Sequence, residues 1–196
     1  MAQNRLYIVL TRTNTVLSRL IGIFKKDQYT HAAISLDSDL NQMYSFGRRN
    51  TYNPFIGCFR KEDIHEGVYG LCKTLPGAII EVEVTAEQYR KATELLDQFI
   101  YHRDNYKYNY QGLLYGLLDK PLCVEDSFLC SEFVYYILSE SGIVDFQMPR
   151  SLVRPQKLLH AKGKIVFQGD LKDFKSVNTL KPESSVFLYL QKLIAG

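Results

Sequence analysis

Short runs of apolar and β-branched residues, interrupted by polar turns, dominate the first half of the chain. Such runs predict strands over 5–11, 31–36, 42–46, 78–84 and, later in the chain, 163–168. The polar Asp37-Ser38-Asp39 segment between the second and third runs is typical of a turn, so these two strands are predicted to form a hairpin.

Apolar residues at helical spacing predict two main helices, over 86–101 and 127–141. Thr85 and Gln88 have the spacing of a capping box at the start of the first, and Gly142 is a stop signal for the second. Shorter helical patterns occupy 15–24 and 184–195. The sequence therefore predicts an α+β domain in which an antiparallel sheet packs against the two main helices.

Two parts of the chain carry weaker patterns. Residues 47–77 mix Gly, Pro and charge, which predicts an irregular excursion, and residues from about 145 form a C-terminal extension. The 196 residues fit a single domain, 1–196, and 46% apolar with 23% charged residues is the composition of a globular protein.

Composition also limits the partners. A net charge of +3 is too small to predict nucleic-acid binding, and no apolar stretch is long enough for a transmembrane segment. The amino-terminal residues lack the pattern of a signal peptide, which predicts a cytoplasmic protein. No cysteine pair has C-x-x-C spacing and no nucleotide motif occurs, so neither a metal nor a cofactor is expected.

The chain has four histidines and four cysteines, which makes a thiol site easy to search for. Cys130 falls in the first turn of the 127–141 helix, with Asp126 or Ser127 as the N-cap, where unpaired N–H groups lower a thiol pKa and can hold an oxyanion. The pattern alone favours an ordinary core thiol over this functional interpretation. His31 opens a strand, where it is either a base aimed at that helix or an ordinary edge-strand histidine.

Two motifs make the sequence recognisable. THAAISLD at 30–37 and FLCSEFVYYIL at 128–138 resemble circularly permuted NlpC-like, papain-like cysteine hydrolases of the YiiX/YaeF-like group, distantly related to lecithin:retinol acyltransferase. The segment YNYQGLL at 108–114 is similar to the stretch before the nucleophile in that group, and the resemblance spans roughly 5–142. It implies a papain-like fold with permuted order, Cys130 as nucleophile and His31 as base.

The family has a third polar residue that orients the histidine, on the strand that follows it. With the predicted turn, Ser45 lies opposite His31; a two-residue shift would bring Gly47 there, and a one-residue slip Tyr44 or Phe46. Glu132 is interpreted as a partner of the helix dipole rather than a catalytic group.

The resemblance implies a cysteine hydrolase or acyltransferase that acts on an amide or ester, through a thioester on Cys130. Its substrate would be a peptide fragment, a cell-wall-derived amide or a lipid, and Tyr44, Tyr108 and Tyr110 are candidates to line the substrate pocket. Since serine is a weak orienting group, the alternative is a catalytically inactive binding module on the same fold. The sequence does not indicate an oligomeric state.

Overall fold

The fold is built around one twisted sheet. The structure, a computed structural model, describes residues 4–12, 27–50 and 53–177. Six strands pair antiparallel in the order β4-β3-β2-β1-β5-β8. Their bounds are β1 Asn4–Thr11, β2 His31–Ser35, β3 Met43–Asn50, β4 Asn53–Glu62, β5 Pro76–Val84 and β8 Lys164–Asp170.

The helices and a small second sheet complete the domain. The helices are α1 Gly67–Gly70, α2 Ala86–Tyr101, α3 Tyr110–Leu117 and α4 Cys130–Glu140, with short 3₁₀ turns at Arg103–Asn105, Arg150–Leu152, Pro155–His160 and Leu171–Asp173. Two-residue strands β6 Lys107–Tyr108 and β7 Ser127–Phe128 pair in parallel. Among the described segments, no helix has the length and apolar character needed to cross a membrane.

The main core lies between one face of the sheet and helices α2 and α4. Leu96 and Phe99 of α2 meet Phe133 of α4 over Phe46 of β3, and all four are buried. A smaller apolar cluster on the opposite face includes Tyr69 of α1. The predicted α+β architecture is confirmed, as is the Thr85–Gln88 capping box.

The expectation of an irregular 47–77 excursion is wrong for much of that range. β3 continues to Asn50, and β4 runs from Asn53 to Glu62 as one of the two edge strands of the sheet. The charged Arg60-Lys61-Glu62 end of β4 does not show the apolar pattern that predicts a strand. It is compatible with a strand because edge strands tolerate charged residues that a strand buried on both faces would exclude.

The extension after 145 returns to the same sheet, because its strand β8 pairs with β5. This confirms the strand predicted over 163–168. The helices predicted over 15–24 and 184–195 lie outside the described residues.

The start of α4 is three residues later than predicted. Ser127 and Phe128 pair with β6, so the helix begins at Cys130 with Leu129, rather than Asp126 or Ser127, as its N-cap. Asp126 has φ 55° and belongs to the preceding turn. As a result Cys130 is the first residue of the helix, still within its first turn.

The hairpin register is also corrected. Ile34 pairs with Tyr44, a shift of two residues from the predicted register, so continuing it places Gly47 rather than Ser45 opposite His31. The cause is a wider loop: the Asp37 carboxylate accepts hydrogen bonds from the backbone N–H groups of Asp39, Asn41 and Gln42.

Candidate active site

The first residue of α4 meets the first residue of β2. Cys130 is 6% exposed, and its sulfur accepts hydrogen bonds from the backbone N–H groups of Ala32 and Ser131. Its side chain also hydrogen-bonds with His31. The structure therefore brings together the two residues that sequence reasoning nominated as nucleophile and base.

A carboxylate that the sequence analysis missed completes the arrangement. His31 Nε2 lies 3.1 Å from Glu62 Oε2, at the end of β4. This hydrogen bond leaves Nδ1 as the ring nitrogen for the Cys130 thiol. The three side chains form a Cys130–His31–Glu62 chain, and the acceptor that orients His31 is Glu62 rather than Ser45.

Glu62 reaches His31 across β3 because Gly47 has no side chain. A Cβ atom built on Gly47 would come within 2.9 Å of Glu62 Oε1. The two-residue register shift places Gly47, rather than Ser45, opposite His31. A glycine therefore lies at the position where the Glu62 carboxylate needs space.

Further polar groups hold Glu62 in place. Tyr69 donates its hydroxyl to Glu62 Oε2 at 2.9 Å, and Tyr69 is in turn 3.4 Å from the Thr11 hydroxyl. Ser45 is fully buried and makes no hydrogen bond of ordinary length among the described residues, yet it stands close enough to help lower the pKa of Glu62. Ser45 therefore belongs to the surroundings of the carboxylate.

The electrostatics favour an ion pair at rest. Burial lowers the pKa of His31, but the negative charges of Glu62 and Cys130 outweigh burial and raise it to about 10. Burial alone would raise the pKa of Cys130. The positive charge of His31 and the two backbone N–H groups outweigh burial, so the pKa of Cys130 is lowered. The pKa of Glu62 is lowered in the same way, against burial, chiefly by His31. The pKa of the thiol is thus shifted below its ordinary value and that of the imidazole above it, which favours a thiolate–imidazolium pair up to about pH 10.

The helix start that carries Cys130 is fixed by a second carboxylate. Glu132 is fully buried and accepts hydrogen bonds from Leu129 N–H at 3.1 Å and Asn109 Nδ2 at 3.3 Å, while Arg150 Nε lies 2.9 Å from its other oxygen. Ser131 also donates to Val153 O at 2.6 Å. These bonds preorganise the first-turn N–H groups, which the interpretation as an oxyanion site requires.

A small pocket of about 60 Å³ opens beside Cys130. It lies between α3, the start of α4 and the segment around Val153, and its walls are mostly apolar. Leu114 on the outward face of α3 is 63% exposed, and Leu118, directly after the helix, is 70% exposed.

The three tyrosines predicted to bind substrate lie in two different parts of the structure. Tyr108 lines the Cys130 pocket, and Tyr110 packs against it with ring centroids 4.7 Å apart. Tyr44 was wrongly placed: it stacks on Phe59 at 5.8 Å and lines a different cavity, because alternation along β3 points it away from the Ser45–Gly47 face.

One weak pattern in the sequence could have indicated that Glu62 belongs to the site. Had 53–62 been assigned as a strand paired with β3, period-two alternation would have put Cys58, Arg60 and Glu62 on the face of Ser45 and Gly47. No disulfide joins any of the four cysteines, all of which lie in described segments.

The chain matches no protein-family model, no curated protein and no solved structure. The function must therefore be argued from the site.

Proposed function

We propose that this protein is a cysteine hydrolase or acyltransferase that acts on an amide or ester. The observation that carries the proposal is the partly buried Cys130–His31–Glu62 chain at the start of a helix. Nucleophile, base and orienting carboxylate are the three roles that thiol-dependent acyl transfer needs.

The chemistry follows from the resting ion pair. The Cys130 thiolate attacks the substrate carbonyl carbon and forms a C–S bond, while the first-turn N–H groups of α4 receive the charge on the carbonyl oxygen. The C–N or C–O bond then breaks, and imidazolium His31 gives its proton to the leaving group. Water or another acceptor attacks the thioester, His31 takes its proton, and the C–S bond breaks to restore the thiolate.

Glu62 acts through His31. Its carboxylate holds the Nε2–H and stabilises the imidazolium, so Nδ1 stays directed at sulfur through the cycle. The proposal extends to the permuted papain-like fold. It is supported by the resemblance of the two motifs, by the antiparallel sheet and by the order in which His31 precedes Cys130.

The alternative of an inactive binding module rested on the weak orienting power of Ser45. A carboxylate at 3.1 Å from the imidazole removes that reason. The enzyme is therefore the better supported proposal.

The direct test is to trap the acyl-enzyme. The protein is mixed with p-nitrophenyl acetate, butyrate and octanoate and with acyl amides, quenched in acid and measured by intact and peptide mass spectrometry. We expect an acyl adduct on Cys130 that hydroxylamine removes. Cys130→Ala should show none, whereas Cys123→Ala, which changes an exposed thiol, should behave as the parent protein.

Absence of any adduct on Cys130 with the whole panel, or equal labelling of Cys123, would contradict the proposal.

A further inference from the structure

A second cavity, which we call the basic cavity, lies between β4, the end of α2 and the segment 103–107. It has a volume of about 580 Å³ and is lined by 57–61 of β4, by Tyr44 of β3 and by Ile100 of α2. This volume is typical of a site for a small molecule. None of the three residues of the proposed catalytic chain lines this cavity.

Positive charge without a counter-charge surrounds the basic cavity. Lys61, Arg103 and Lys107 come from three different elements, are all exposed, and make no ion pair within the described part of the chain. Asp104 also lines the cavity, so these four side chains leave two positive charges uncompensated. Arg60 is a further lining residue, but its guanidinium lies against α1. Because the whole chain has a net charge of only +3, this cavity concentrates much of it.

The other wall of the basic cavity is aromatic and apolar. Tyr44 stacks on Phe59 with ring centroids 5.8 Å apart and nearly parallel rings, and Tyr106 stacks on Phe99 at 4.3 Å. Ile100, beside them, is 38% exposed. Since packing against the core fixes these rings, they form a rigid apolar surface on which a flat ring can stack.

We propose that the basic cavity binds a small phosphate monoester that carries an aromatic ring. Lys61, Arg103 and Lys107 hold the phosphate, and the ring lies on the apolar wall. A phosphate monoester has close to two negative charges at neutral pH, which matches the uncompensated charge of the lining. Arginine and lysine are also the side chains that bind phosphate oxygens best, the first through paired N–H groups and the second as a point charge. This inference does not depend on the proposed function.

The experiment is a titration of the full chain with phenyl phosphate, followed by two-dimensional NMR of the backbone amides. Inorganic phosphate and benzyl alcohol represent the two halves of the ligand. We expect saturable binding of phenyl phosphate, weaker binding of inorganic phosphate and no measurable binding of benzyl alcohol. The shifted amides should centre on 57–61 and 100–107, and added salt should weaken binding because the cations are exposed.

Lys107→Gln and Arg103→Gln test the charged side of the cavity. Both residues are exposed, so circular dichroism should show that the variants remain folded. Each variant should bind phenyl phosphate and inorganic phosphate about fivefold to tenfold more weakly, as expected when one charge-assisted hydrogen bond is lost at an exposed site. Lys91→Gln removes an exposed cation of α2 that does not line the cavity, and it should bind both ligands as the parent protein does.

Ile100→Ala tests the apolar side separately. The smaller side chain should weaken phenyl phosphate binding about twofold to fourfold, because less apolar surface is buried against the ring, and leave inorganic phosphate binding unchanged. Leu71→Ala shortens another exposed side chain, 65% accessible and outside the cavity, and should change neither affinity.

The inference is overturned if phenyl phosphate does not bind, if the shifted amides centre on Cys130, or if Lys91→Gln weakens binding as much as Lys107→Gln. Equal affinity for phenyl phosphate and inorganic phosphate would show an adventitious ion only and would overturn it as well. All these readouts measure binding without acyl transfer, so they are distinct from failure of the proposed function.

Discussion

Two glutamates near Cys130 have pKa values shifted in opposite directions: Glu132 is fully buried, and the Glu62 side chain is 10% exposed. Glu62 faces His31, and its pKa is lowered, against burial, mainly by the imidazolium charge. Glu132, two residues after Cys130, has its pKa raised because burial outweighs Leu129 N–H, Arg150 and Asn109. Burial alone therefore does not distinguish a carboxylate of the reaction chain from one that holds a helix.

What differs is the partner. Glu62 is bound to a group that must change its protonation state during the proposed acyl transfer, whereas the partners of Glu132 are a backbone amide, a side-chain amide and a guanidinium that keep theirs. The comparison assigns Glu62 to the chemistry and Glu132 to the scaffold, and each assignment predicts a different loss on mutation.

The largest effect on activity is expected from Glu62→Gln. The amide keeps the shape but cannot stabilise the imidazolium, so acyl transfer should fall about a hundredfold to ten-thousandfold. The pKa of His31 should fall and that of Cys130 should rise, which a pH series of Cys130 alkylation measures. If activity and both pKa values stay unchanged, Glu62 does not orient the histidine.

Glu132→Ala should instead damage stability. Arg150 and the Leu129 N–H would lose their buried partner, a change that costs about 3 kcal/mol or more. Urea denaturation followed by circular dichroism measures the loss. Glu62→Gln should be destabilised far less. Equal destabilisation of the two variants would contradict the structural role assigned to Glu132.

Gly47→Ala should give a smaller, selective effect. The new methyl group would press on the Glu62 carboxylate, the movable end of a side chain, so the fold should tolerate it while the His31 contact is lost or lengthened. We expect activity to fall about tenfold, as for a disturbed supporting contact, with little change in the urea midpoint. A wild-type rate would show that Glu62 does not need the space at Gly47.

Tyr69→Phe should have the smallest effect of this series. It removes one hydroxyl donor to Glu62 but leaves the ring packed edge-on to His31 at a centroid distance of 6.1 Å. Without this donor the pKa of Glu62 should rise, and the carboxylate should stabilise protonated His31 more strongly. The pKa of His31 should therefore rise, and the alkaline limb of the alkylation profile should move to higher pH. A shift to lower pH would contradict this role for Tyr69.

Local patterns were enough to predict much of the fold and half of the site. The capping box at Thr85, the strand that begins at His31 and the helix turn that carries Cys130 all follow from short stretches of sequence. Their prediction needed no knowledge of which strands are neighbours.

Glu62 could not be found in that way because its position depends on two strand registers. A wider loop at Asp37 moved β3 by two residues, and β4 was hidden by its charged end, so no local pattern linked Glu62 to His31. Ser45 was misassigned because a two-residue shift puts Gly47 where Ser45 was expected, whereas Tyr44 points to the other face of β3 in either register.

The central claim is that Cys130 rests as a thiolate beside a protonated His31. The most direct measurement is the rate of Cys130 alkylation by dilute iodoacetamide across pH, read on the Cys130 peptide by mass spectrometry. The account predicts a rate that is already high at pH values below the ordinary thiol pKa and nearly constant until His31 titrates near pH 10, with His31→Ala losing this acid-side reactivity. A single rise with a midpoint at the ordinary thiol value of about 8.5, the same in both proteins, would contradict it.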